Sequence, residues 1–369
     1  MLGRVLIAVA VVLGSWNAVS RAAGDDKVER KPPQVGEVAP PLGGLGWLQL
    51  DAQWESKAPD LMALRGKVVV ITSYGHYCDS CVKTGVPIAN ALRVANPGEL
   101  CVIAFTGSWG ELSQDEIVAE ARKLGVEHAI GWASYFAEDT PYLDMLSQPS
   151  LTHAYVISRA GGILWKGDAS SKREEYLAAV REALDAPQLA PLPAELAPEL
   201  SEAVLAYSRG DLTRATERTR AIEKKVGARA GAAGQRVRDD AAALLGCIET
   251  SRSQMMDALE RAGGAADAPA YQRLAPQVRR AFAKGREAAR CDELDMYIAV
   301  HTEKGPACRA WAQWYELEAK RPPTFPALDD KPAQRFAREL EKYAKVTEAP
   351  GVEQAKRWLA SFDALPKRK

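Results

Sequence analysis

Cys78 and Cys81 are separated by Asp79 and Ser80, and they follow directly on the apolar run Val68-Val69-Val70-Ile71 and the short stretch Thr72 to Tyr77. Thiol–disulfide exchange needs a thiolate as its nucleophile. Two cysteines at this spacing, opening a helix, supply both halves of that reaction. Unpaired N–H groups and the dipole of a helix N-terminus favour negative charge on the first sulfur. The second sulfur lies one turn further in, where it can attack the mixed disulfide and release the partner. Cys78 is therefore assigned as nucleophile and Cys81 as resolving thiol. Asp79 sets a carboxylate beside Cys78 and opposes the helix dipole, so the pair is expected to behave as a reductant rather than as a strong oxidant. Ser80, His76 and Tyr77 are read as modulators of the pair.

These residues need a platform, and the surrounding chain reads as one. Val68 to Tyr74 is rich in Val and Ile without alternation, which suits a central strand buried on both faces. Trp47 to Leu50 is a shorter strand candidate. Beyond Cys81, the residues Val82, Val86, Ile88, Ala91 and Leu92 follow helical spacing, and Pro87 is expected to kink or restart that helix. Leu100 to Phe105 is a second buried strand. Ser113 and Glu116 form a capping box for a helix ended by Gly125. His128 to Trp132 is a weak strand, and Thr140-Pro141 reads as a helix start. Thr152 to Ile157 and Ile163 to Lys166 make a hairpin around Ser158 to Gly162. Ser171 and Glu174 read as a second capping box, before a helix to about Leu184. The layout is α/β, a central mixed sheet flanked by helices.

At 369 residues the chain is long enough for two domains. Hydrophobic residues at 47% and charged residues at 26% are globular proportions and exclude wholesale disorder. Lys plus Arg and Asp plus Glu both number 48, so no global charge points to nucleic acid. Arg4, the apolar run Val5 to Leu13 and the small residues Ala18, Ser20, Ala22 and Ala23 have the form of a secretory signal. That run falls short of the ~20 residues of a membrane span, and no other stretch reads as one. The organisation expected is a signal peptide over 1–23, a flexible leader over 24–36, the α/β domain over 37–186, a proline-spaced linker over 187–198 and an all-α domain over 199–369. The mature protein is expected to be periplasmic or secreted.

The span from about Val35 to Leu184 resembles the thioredoxin-like superfamily, and within it the exported thiol–disulfide oxidoreductases of the TlpA type. The resemblance rests on Val35-Gly36-Glu37-Val38-Ala39-Pro40, on Leu64-Arg65-Gly66-Lys67 before the strand, and on Tyr77-Cys78-Asp79-Ser80-Cys81. It continues at His153-Ala154-Tyr155-Val156-Ile157, with Gly161-Gly162 and Ile163-Leu164-Trp165-Lys166. It implies a thioredoxin-like fold, a redox-active Cys78 and Cys81, no cofactor, protein thiols and disulfides as substrates, and a redox partner that donates electrons. Three positions depart from the family pattern. Tyr77 stands where the family has Trp, and Thr72 stands where thioredoxin carries an acidic residue that assists proton transfer. Thr152 stands where the family has a cis-proline facing the cysteines. Because a cis bond before a non-proline residue is costly, a trans loop is expected there, with Thr152 and His153 shaping substrate handling.

Two other classes of reading remain beside the enzyme. One is an interaction protein whose α/β domain is only a scaffold. The other is a metal carrier or redox sensor in which His76, Cys78, Cys81 and His153 converge. Cys101 reads as a buried strand residue, and Cys291 with Cys308 as a conceivable bridge. In the helical half, Ala206 to Ala215 resembles a tetratricopeptide turn, and Ala337 to Leu359 a further helical hairpin. No regular period joins them, so an irregular bundle stands equally. Either form offers a groove to a protein partner. Gly227 to Gly234 and Gly263-Gly264 read as loops between helices.

Overall fold

The computed structural model describes residues 31–43, 46–49, 59–73, 75, 78–107, 113–123, 125–126, 128–133, 140–142, 145, 152–226, 231–264, 268–282, 286–302, 313–314, 317, 320, 331–345 and 352–363. A six-stranded mixed sheet forms the first half. Its strands are β1 (Gly46–Gln49), β2 (Val68–Ser73), β3 (Leu100–Gly107), β4 (Ala129–Ala133), β5 (His153–Ile157) and β6 (Ile163–Asp168), in the order β1-β4-β3-β2-β5-β6. β2, β3 and β4 run parallel, whereas β5 is antiparallel to β2 and to β6. The parallel pairs are joined by crossover helices α1 (Val86–Ala95) and α2 (Gln114–Lys123), and α3 (Arg173–Asp185) follows β6.

The unalternated Val/Ile run has its explanation in this sheet. Val69 and Ile71 face one core with Ile103, Phe105 and Tyr155. Val68 and Val70 face the other, with Ile88 and Leu92 of α1 and Tyr176, Leu177 and Val180 of α3. Every residue of β2 is buried, so a strand with two apolar faces is stable here and an alternating one would not be.

Local signals are met unevenly. At Ser113 the box closes reciprocally: the Glu116 N–H donates to Ser113 Oγ at 3.4 Å, and Glu116 Oε2 accepts the Ser113 N–H at 2.8 Å. At Ser171 the expected box does not form. Lys172 takes the N-cap position without a side-chain hydrogen bond. Asp168 has already claimed this turn, accepting the N–H groups of Ser170 and Ser171 at 2.8 and 3.3 Å. Of the helix expected from Thr140-Pro141, most lies outside the described residues.

The second half is helical: α4 (Ser201–Ser208), α5 (Leu212–Val226), α6 (Ala232–Gly264), α7 (Ala268–Ala281), α8 (Arg286–Thr302), α9 (Lys331–Ala344) and α10 (Val352–Asp363). The turn at Arg209 to Asp211 is a helix C-cap with Gly210 at φ 82°, a left-handed conformation that suits glycine. Gly234 and Gly263 are not in loops but inside α6. Gly263 is needed there because a Cβ would stand 2.7 Å from Leu294 Cδ2 of α8. The proline-spaced segment 187–198 carries Leu189 and Leu192 into the helical core. No helix among the described residues is long and apolar enough to cross a membrane.

Among the described residues the α/β and helical halves meet at several places, and two of them bear on the fold around the site. α4 lies against the β5–β6 turn, where a Cβ on Gly162 would collide with Ser208 Oγ and one on Gly36 would stand 2.5 Å from the Ser201 carbonyl oxygen. Far from there, α10 packs on α1. Gln354 Nε2 donates to the Ala95 carbonyl at 3.1 Å, and Ala95 joins Trp314, Phe336, Leu340 and Trp358 in one cluster.

Candidate functional site: a dithiol turn

β2 delivers the chain to the dithiol. After Gly75, whose carbonyl accepts the Cys78 N–H at 3.0 Å, the backbone turns helical and the Val82 N–H donates to the Cys78 carbonyl at 3.0 Å. The helix does not begin regularly. Cys81–Gly85 is a π turn, closed by the Val86 N–H on the Cys81 carbonyl, and α1 starts afresh at Val86 with Pro87 in its first turn. The expected restart at Pro87 is thus met. Proline lacks an N–H, and the first turn is where that costs nothing.

Cys78 and Cys81 are joined in a disulfide, with their Cα atoms 5.2 Å apart. Cys78 is half-buried and Cys81 is 1% exposed. Exposure therefore orders the two sulfurs, outer and inner. The Cys81 N–H points at Cys78 Sγ at 3.2 Å, and Ser80 Oγ lies 3.3 Å from the same sulfur. Both donors are placed to stabilise negative charge on Cys78 when the bond opens. Asp79 does not turn towards the sulfurs. It is exposed and pairs with Lys83 one turn on, at 2.7 Å, so solvent and a cation both dilute its influence on Cys78.

Thr72 is buried in β2, paired across to Ala104 and Ala154, and brings no carboxylate to the site. Thr152 is 1% exposed and precedes β5. Its hydroxyl donates to Asp168 Oδ1 and its carbonyl accepts the Ala169 N–H at 2.8 Å. The peptide bonds among the described residues are trans, and the residue before Thr152 lies outside them. The His153 carbonyl accepts the Ser73 hydroxyl at 3.2 Å, which ties the start of β5 to the end of β2 beside the dithiol. His76 and Tyr77 lie outside the described residues, as does Cys308. Among the described residues no group of three or more His, Cys, Asp or Glu side chains is gathered as a metal site.

Two participants escape sequence reading. Lys83 is the i+4 partner of Asp79, a spacing that signals an ion pair on a helix. Asp168 carries a local signal, an acidic residue before Ala169-Ser170-Ser171, which suits an Asx turn. Its bond to Thr152 has none.

Strands β3-β2-β5-β6, with β5 reversed, a dithiol at the β2–α1 turn and a closing α3, make the first half a thioredoxin-like fold with a Cys-x-x-Cys pair. Solved structures similar to this chain include a thioredoxin-like superfamily protein, 18% identical, covering 41% of this chain and 99% of its own, with a TM-score of 0.35. A putative protein disulfide isomerase from Bacteroides thetaiotaomicron is 21% identical over 41% of this chain and 90% of its own, with a TM-score of 0.32. A putative thiol:disulfide interchange protein from Chlorobium tepidum is 16% identical over 40% of this chain and 98% of its own, with a TM-score of 0.30. No family model and no curated protein matches the chain.

Proposed function

We propose that this chain is an exported thiol–disulfide oxidoreductase of the TlpA type that reduces or exchanges disulfides in protein partners. The observation that carries the reading is the Cys78–Cys81 disulfide at a strand-to-helix turn, with an outer and an inner sulfur. In the reduced form the Cys78 thiolate attacks a partner disulfide, forming one mixed disulfide and releasing the partner's other sulfur as a thiolate that takes a proton. Cys81, as thiolate, then attacks Cys78 Sγ. The partner leaves reduced and the Cys78–Cys81 disulfide is restored. A dithiol donor returns two electrons for the next cycle.

The helical half is read as the part that orients the partner, because its close contacts at Gly36 and Gly162 fix it to the α/β half. Export is read from the N-terminal signal pattern, and places the mature protein in the periplasm or outside the cell. Insulin reduction driven by a dithiol donor tests the activity. Wild type should accelerate it and Cys78→Ser should fall to the uncatalysed rate; equal rates would end the catalytic reading. N-terminal sequencing of the exported protein should find a start near Ala23 or Gly24.

A further inference from the structure

Asp168 closes β6, an edge strand of the sheet, and faces His153 across the β5–β6 pair. Its Oδ1 accepts three donors: the Thr152 hydroxyl at 2.5 Å and the N–H groups of Ser170 and Ser171. Thr152 is held a second time through its carbonyl, by the Ala169 N–H. With hydroxyl and carbonyl both engaged, its γ-methyl is directed at Gly85. A Cβ placed on Gly85 would stand 3.8 Å from Thr152 Cγ2, an ordinary packing distance. Gly85 ends the π turn that Cys81 begins. A hydrogen-bonded link therefore runs from Asp168 to a buried threonine whose γ-methyl lies on the side of Gly85 from which a Cβ would project, next to the turn that holds the inner sulfur.

We propose that Asp168 is a positioning residue for the dithiol: by fixing Thr152 against Gly85 it holds the Cys81–Gly85 turn where Cys81 closes on Cys78. The proposal rests on the redox reading above. A π turn is a single wide loop of backbone inside a helix, and such loops occur at functional sites. A braced turn raises the effective concentration of Cys81 at Cys78, as any preorganised intramolecular pair does. The relevant exchange is protein disulfide plus two glutathione thiols giving protein dithiol plus glutathione disulfide. Two electrons and two protons pass to Cys78 and Cys81, and bracing opposes that passage.

The test is the equilibrium with glutathione, read by trapping free thiols in wild type and variants of the full chain. Asp168→Ala and Thr152→Val should each shift the equilibrium towards the dithiol by roughly threefold to tenfold, the reach of one hydrogen bond. The double variant should shift it no further than either single one, because both break the same link. Asp168→Asn keeps an acceptor for Thr152 and should retain most of the wild-type position. A residue that merely caps the 168–171 turn would lower the melting points of both redox forms alike and leave the equilibrium in place. That result for Asp168→Ala overturns the proposal, as do additive effects in the double variant. If Asp168→Ala does not fold, the near-isosteric Thr152→Val decides alone, and an unmoved equilibrium overturns the brace. Wild type that equilibrates with glutathione but does not reduce insulin would end the oxidoreductase reading and leave the brace standing. Active wild type with unmoved variants would do the reverse.

Discussion

Substituting Cys81 by serine leaves Cys78, Ser80 and the backbone N–H of position 81 in place but removes the sulfur that the proposed cycle assigns to resolve the mixed disulfide. Cys81→Ser should therefore accumulate partners covalently bound at Cys78, visible as bands that vanish on reduction. Absence of such species while Cys78 remains reactive to alkylation would contradict the assigned roles. Asp79→Ala should move the glutathione equilibrium by less than about fivefold, since exposed ion pairs reach no further; the Asp79–Lys83 pair is exposed on both sides. His128 gives a pH dependence. Burial, aided by the Arg93 charge, pushes its pKa down from 6.5 to about 3. The unfolded chain then binds the proton more readily, so stability should fall as pH drops from about 6.5 towards 3. Urea midpoints across that range should fall less steeply for His128→Gln than for wild type. Cys78 and Cys81 were legible in sequence because spacing and a preceding apolar run are local. The Thr152–Asp168 link was not, because it joins residues through the register of a hairpin.

The dithiol turn shows what an element gains from its irregularities. Gly85 and Pro87 interrupt what periodicity alone makes one helix, and the interruption becomes a π turn with a restart behind it. Sequence located the break but not its form, since an i+5 loop and a simple kink have the same residues. Where the two halves approach, Gly162→Ala should destabilise by about 1–3 kcal/mol, the cost of overpacking a closed contact, because the added methyl meets Ser208 and Val204 of α4. Thermal or urea unfolding checks this, and an unchanged midpoint would mean that α4 yields without cost. The β-strands, the Ser113 box and the Gly210 turn were legible because each is specified within a few residues. The Ser171 box failed because Asp168, three positions upstream, outcompetes it as an acceptor for that turn.

For the molecule as a whole, the informative contact is α10 on α1. The sheet-facing side of α1 carries Ile88 and Leu92, while Ala95 faces the aromatic cluster with Trp314 and Trp358. Trp358→Ala should cost about 3–5 kcal/mol, as truncation of a buried aromatic does, and should speed hydrogen exchange in α1 as well as in α10. Exchange confined to α10 would show that the two helices are energetically independent. Helical composition of the second half was readable from its Ala, Glu, Arg and Leu content. Its return to α1 was not, because a small residue such as Ala95 looks like an ordinary helix former. The Gln354–Ala95 hydrogen bond spans 259 positions of the chain. During synthesis α1 therefore emerges long before its outer cover. A nascent chain would present α1, directly behind the Cys81–Gly85 turn, with one flank bare until the far helix arrives.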